Sequence, residues 1–241
     1  MVHVPAPEIP PFMMPDTVDQ LAETFRQQDG AVWQVGLFPS DRLRAILDEV
    51  EQLRPFVHRS YVPGKKQGGS ISAFLLRDHG PQCTALYHDP EWIAWLSRLT
   101  GAQLQPCPPS DPHAYALYCY TERGDHIGWH YDTSFYRGKR FTVLLGLIDR
   151  SSSRLQCQLY TRQSGRTPEA VDVATPPGTL VVFDGDRLWH AVSPLGYGEE
   201  RIVFAMEYVT DPNMPLVGRV ISAVKDAVAY FGIRALFPKR S

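Results

Sequence analysis

The sequence predicts a mainly β fold with flanking helices, and three observations carry that expectation. Residues 113–209 hold a succession of short apolar runs separated by Gly, Pro and Asp, with few helical signals. Upstream, apolar residues recur at helical spacing, as in Leu43, Ile46, Leu47, Val50 and Leu53. Downstream, Val220, Ile221, Val224, Val228 and Phe231 mark an amphipathic helix over 217–231 that would cover the sheet. One domain is expected, with a helical and mixed part over 1–112, a β core over 113–209 and a C-terminal helix within 210–241.

The elements follow in order. Residues 1–16 read as an extended, proline-rich lead-in without the basic-then-apolar pattern of a signal peptide. A helix over 17–28 has Val18, Leu21 and Phe25 on one face and Asp16 as N-cap. A short strand spans 31–38, and Ser40 caps the next helix. Residues 63–69, with lysines and glycines, read as a loop. Residues 70–77 read as a strand, and 89–99 as a helix with Trp92, Trp95 and Leu96 inward. In the β core, strands are expected over 142–148, over 179–183 after the turn Pro176-Pro177-Gly178, and from Arg201 to position 206. Residues 162–169 form a polar connection between strands.

Composition narrows the function. Hydrophobic content of 44% and charged content of 21% are those of an ordinary globular protein. A net charge of −2, with no Lys/Arg-rich run, offers nucleic acid no basic surface. No run approaches the ~18 apolar residues of a membrane helix. Cys83, Cys107, Cys119 and Cys157 lack metal-finger spacing and read as reduced thiols of a cytoplasmic protein. The partner expected is a small-molecule substrate rather than nucleic acid or a membrane, for a monomer or a homodimer.

The chemistry rests on His130-Tyr131-Asp132, followed at a distance by His190 and then Arg201. On a strand, His130 and Asp132 share a face while Tyr131 points away. Two histidines and a carboxylate take one face of a divalent metal such as iron, leaving the remaining positions open; the geometry alone admits manganese or cobalt as well. Alternation places Arg201, Val203 and Ala205 on one face. If that face lines the same cavity, a buried guanidinium beside the metal needs an anion, best a carboxylate held by two parallel hydrogen bonds.

The set Tyr118-Cys119-Tyr120, Gly124-Asp125-His126, His130-Tyr131-Asp132, the Pro176–Phe183 run, His190-Ala191-Val192-Ser193-Pro194 and Gly198-Glu199-Glu200-Arg201 resembles the 2-oxoglutarate- and Fe(II)-dependent oxygenases, most closely their prolyl-hydroxylase-like branch. The match covers about residues 113–209. The resemblance implies a double-stranded β-helix, or jelly roll, with iron at one mouth. It implies His130, Asp132 and His190 as ligands, Arg201 on the distal carboxylate of 2-oxoglutarate, and Tyr120 as a further contact to that cosubstrate. Where some relatives carry a second tyrosine the chain has Gly146, so Thr142 or Tyr118 is the expected replacement. Related halogenases replace the carboxylate ligand by a small residue. The presence of Asp132 therefore implies hydroxylation or another oxidation with O2, releasing succinate and CO2.

For the substrate, Arg77 at the end of the 70–77 strand suits either a carboxylate anchor or a surface cation, with His126, Thr133 and Phe135 lining the mouth and Trp129 suited either to the mouth or to plain core. An arginine, a histidine and aromatics suit a small polar acid such as an amino acid or a derivative. A protein or peptide side-chain hydroxylase and a non-catalytic metal-binding jelly roll are the alternatives. A nucleobase demethylase is disfavoured by the charge.

Overall fold

The structure, a computed structural model, describes residues 17–213. The proline-rich lead-in, the Asp16 cap and the helix expected over 217–231 lie outside the described residues. The elements run α1 (Val18–Gln27), β1 (Ala31–Gln34), α2 (Ser40–Leu53), β2 (His58–Val62), β3 (Lys66–Ile71), α3 (Ala73–His79), α4 (Pro81–His88), α5 (Pro90–Thr100) and β4 (Gln105–Pro106). They continue with β5 (Tyr115–Tyr120), β6 (His126–His130), β7 (Arg140–Arg150), β8 (Leu155–Leu159), β9 (Glu169–Val173), β10 (Leu180–Asp184), β11 (Trp189–Val192) and β12 (Glu200–Val209).

The strands form a nearly closed antiparallel jelly roll in the order β1-β10-β7-β12-β5-β3-β6-β11-β8-β9. β3 joins its two halves. It pairs with β5 through Gly69↔Cys119 and with β6 through Lys66↔Ile127. The alternation that marked the strands decides what each face buries. Along β12, Ile202, Phe204, Met206 and Tyr208 pack into an outer core with Trp92, Leu96 and Leu76 of the helices, whereas Val203 and Ala205 join Leu144, Val181 and Phe183 between the two halves. α5 is well signalled. The Asp89 carboxylate accepts from the Glu91 and Trp92 backbone N–H groups, and left-handed Gly101 ends the helix.

The N-terminal part departs from expectation in several places. The 63–69 stretch is a loop only at 63–65, the hairpin turn: residues 66–71 are strand β3, paired to β2. Glycine there serves close approach, because a Cβ on Gly69 would strike Val57 and the Cys119 carbonyl oxygen. The strand expected over 70–77 ends at Ile71, and α3 takes over. The adjacent apolar pair Leu75-Leu76 breaks the period of two, while Ala73 and Leu76, three apart, are both buried at helical spacing. α2 begins at Ser40, but its N-cap is Pro39 and no side chain caps it. α4 adds a helix that sequence patterning missed. The first strand stops at Gln34 rather than 38.

Candidate metal centre

β6 and β11 pair with His190 directly opposite His130, so the two imidazoles stand side by side with ring centroids 4.2 Å apart. A register shift between His190 and Val192 in that ladder sets Ile127 opposite Val192, and Ile127 packs inside the barrel although it lies three residues from His130. Asp132 is not on the strand as expected. β6 ends at His130, and Asp132 lies in the loop that follows. The loop still returns its carboxylate to the histidines, with Oδ1 3.4 Å from His130 Nε2 and Oδ2 3.7 Å from His190 Nε2. All three ligand atoms lie within 4.8 Å of one another. Tyr131 turns away, as alternation predicts, and packs on Trp189 at 4.6 Å.

The remaining ring nitrogens are occupied by backbone. His130 Nδ1 is 2.8 Å from the Gly128 carbonyl oxygen, and His190 Nδ1 is 3.1 Å from that of Leu188. A carbonyl only accepts, so both Nδ1 atoms donate, and the Nε2 atom of each ring is the one turned to Asp132. Burial pushes His190 down to about 4, against the pull of Asp132, so it is neutral at pH 7. Burial would raise the Asp132 carboxyl, but the two histidines and, more distantly, Arg140 hold it well below the usual range. Two imidazoles and one carboxylate on a single side fit a divalent iron.

Thr142 was expected at the cosubstrate and is found elsewhere. Its hydroxyl lies 2.8 Å from Asp132 Oδ2 and 2.9 Å from Glu207 Oε2, and Arg140 Nε donates to the same Glu207 oxygen at 2.8 Å. One hydroxyl hydrogen cannot serve two carboxylates. Burial lifts Glu207 to about 7 despite the Arg140 guanidinium, which allows a chain in which protonated Glu207 donates to Thr142 and Thr142 donates to Asp132. Thr142 therefore orients a ligand. It is also far from the arginine: it pairs with Glu207 on β12, whereas Arg201 pairs with Asp149.

Arg201 is 1% exposed. Its Nε donates to the Thr175 hydroxyl at 3.1 Å, its guanidinium lies 5.4 Å from the centre of the Tyr120 ring, and Tyr120 also hydrogen-bonds it. Among the described residues no carboxylate forms an ion pair with it. Burial draws its pKa down, which is the condition of a cation that gains by meeting an anion. The backbone of Thr175 and Pro176 packs so closely over Gly146 that a Cβ there would collide with both carbonyl oxygens. That close packing leaves no room for a side chain at 146, and the hydroxyl that stands against Arg201 is that of Thr175. Thr175 was missed; its one signal was its place before the Pro176-Pro177-Gly178 turn.

The substrate candidates disperse. Arg77 sits exposed on α3, where it donates to the Pro109 carbonyl at 2.8 Å and lies against Phe74, so it is on the helical layer and not at the end of a strand. His126 shares the face of Gln67, opposite to the Lys66↔Ile127 pair that points inward, and its Nδ1 bonds the Gly124 carbonyl. Thr133 is exposed and Phe135 half-buried on the loop after Asp132. Trp129 is neither core nor mouth: it is 41% exposed and stacks on Trp189 outside the sheet.

Comparison with known proteins agrees with this architecture. Residues 13–137, more than half of the chain, match the family described as HalD, Halogenase D. Among solved structures, the chain is similar to the non-heme alpha ketoglutarate dependent epimerase SnoN from nogalamycin biosynthesis, with TM-score 0.64, 16% identity, and 80% of this chain and 82% of that one covered. It is similar to AviO1 from Streptomyces viridochromogenes Tue57, with TM-score 0.64, 20% identity, and coverages of 82% and 96%. It is also similar to a Pseudomonas putida prolyl-4-hydroxylase, with TM-score 0.57, 16% identity, and coverages of 80% and 98%. No curated protein matches. The fold is that of the 2-oxoglutarate- and Fe(II)-dependent oxygenases.

Proposed function

The chain belongs to the Halogenase D family, and on that premise we propose that it is an Fe(II)- and 2-oxoglutarate-dependent dioxygenase. Its reaction is the oxidation, by hydroxylation, of an unactivated C–H bond in a small polar molecule such as an amino acid or a derivative, with release of succinate and CO2. The observation that carries this reading is the pairing of a His130, Asp132 and His190 cluster with a buried Arg201 on one barrel interior. A mere metal-binding protein has no use for the second feature.

Within the family, Asp132 decides the outcome. A carboxylate in the third ligand position leaves no vacancy there for a halide, which favours oxygen transfer over halogenation. Iron bound here supplies the oxidising chemistry from O2 and 2-oxoglutarate. The chain's own part is positional. The Gly128 and Leu188 carbonyls fix both imidazoles, and Thr142 fixes the Asp132 carboxylate. Arg201, Tyr120 and Thr175 form the carboxylate seat, and the apolar walls from Val203, Leu144 and Phe183 keep water out. Thr133 and Phe135, on the loop after Asp132, are the proposed substrate contacts.

A small molecule is the proposed partner, in a cytoplasmic setting. In support, the net charge is −2, the four cysteines are free and buried, and no helix among the described residues is long and apolar enough to cross a membrane. The test is anaerobic addition of Fe(II) and 2-oxoglutarate. A weak visible charge-transfer band is expected for a keto acid chelated to such an iron, and it should weaken in Arg201→Ala. A folded, iron-loaded protein without the band overturns the reading.

A further inference from the structure

The barrel interior holds a second buried cation. Lys66 opens β3 and is 3% exposed. Register fixes its direction twice. Ser70 pairs with Tyr118, so alternation sets Lys66, Gly68 and Ser70 on the face of Tyr118 and Tyr120. On the other edge Lys66 pairs with Ile127, which packs inside the barrel.

The ammonium lies 5.1 Å from the centre of the Tyr118 ring, while Arg201 lies over Tyr120, two residues further along the same strand and face. Gly68 is level with Tyr120, its Cβ position 3.5 Å from that ring. β3 runs antiparallel to β6, so the step from Gly68 to Lys66 leads toward His130. The backbone of Lys66 thus stands between the Arg201 level and the metal-ligand level. Removal from water brings its amine down to about 7. An anion entering the cavity would restore the charge. This is a task the sequence left open to Arg77, which the structure places outside.

We propose that Lys66 is a second carboxylate-binding residue of the cavity, separate from Arg201. It holds either the keto-acid carboxylate of the cosubstrate or the carboxylate of the substrate. The proposal rests on the oxygenase reading. Both sources share one chemistry, and binding experiments separate them.

Wild type, Lys66→Met, Lys66→Arg and Arg201→Met are loaded with Fe(II) under argon. Each is titrated with 2-oxoglutarate and with pyruvate, which lacks the distal carboxylate, and read by calorimetry and the visible band. The 2-oxoglutarate complexes are then titrated with free amino acids and with the matching carboxamides, read as a shift of that band. Methionine keeps the volume of the aliphatic stem, and a thermal melt checks folding.

At least tenfold weaker binding of both keto acids by Lys66→Met assigns the residue to the cosubstrate carboxylate beside the iron. Unchanged keto-acid binding with a tenfold loss of amino-acid affinity, and loss of the preference over the carboxamide, assigns it to the substrate. In either case Lys66→Arg should recover part of the loss. Weakened 2-oxoglutarate but unchanged pyruvate binding would overturn the proposal, since Lys66 would then share the seat of Arg201. Unchanged keto-acid binding together with an unchanged or absent amino-acid response would also overturn it. A wild type that binds no 2-oxoglutarate fails the oxygenase reading itself, a result distinct from any failure confined to Lys66→Met.

Discussion

The two faces of the sheet made by β5, β12, β7 and β10 come from alternate residues of the same strands, yet they are built to different ends. The outer face, with Ile202, Phe204, Met206 and Tyr208, meets Trp92, Leu96 and Leu76 in a continuous apolar layer. The inner face carries Val203, Ala205 and Leu144 but also Arg201, Thr142 and Glu207, all buried. Taking polar and charged groups out of water costs free energy that their hydrogen bonds only partly return, so an interior selected for stability alone would not hold so many. The outer face is a stability device, and the inner face gives up stability to hold ligands.

That contrast can be broken or sharpened by substitution. The largest effect is expected for Asp132→Ala, which removes one of three ligands. Fe(II) affinity should fall more than about 100-fold in halide-free buffer, measured by anaerobic metal titration, and an unchanged affinity there would refute Asp132 as a ligand. Next comes Phe204→Ala on the outer face, where a fully buried ring is lost. It should cost about 3–5 kcal/mol in denaturant unfolding while leaving iron affinity untouched; a matching loss of iron would show that the two faces are not independent.

Thr142→Val is the inner-face counterpart, nearly equal in volume. Loss of the 2.8 Å bond to Asp132 should lower iron affinity about 10- to 100-fold, with only about 1 kcal/mol lost in stability. The reverse balance, a large stability loss with normal iron binding, would make Thr142 a structural residue. The smallest effect is expected for Arg77→Ala. Its guanidinium is exposed on the helical layer, so stability should change by no more than about 0.5 kcal/mol and 2-oxoglutarate consumption not at all. A clear loss of activity would return Arg77 to the site.

Much of the centre was legible because β alternation is a local rule. His130, the reversal of Tyr131, and the shared face of Arg201, Val203 and Ala205 needed only the period of two. Asp132 was identified correctly as a neighbour of the histidines for a partly wrong reason, since a loop and not the strand delivers it. The misreadings cluster where local pattern was outweighed by packing. Glycine-rich 66–71 is a strand because Gly69 lets β3 approach Val57 and β5, and Leu75-Leu76 belong to a helix because the outer core takes Leu76 at helical spacing.

The sequence by itself determined the mainly β class, the helix starting at Asp89, and the ordered series His130, Asp132, His190 and Arg201, because each depends on neighbours within a few residues. Tertiary structure alone decided which groups meet those residues. Thr175 reaches Arg201 across 26 positions and Thr142 meets Glu207 across 65. Lys66 turns inward only because β3 pairs on both edges. Alternation says which face a side chain takes. The non-local ladder says which strand lies beside it and at what level, and no local pattern encodes that register.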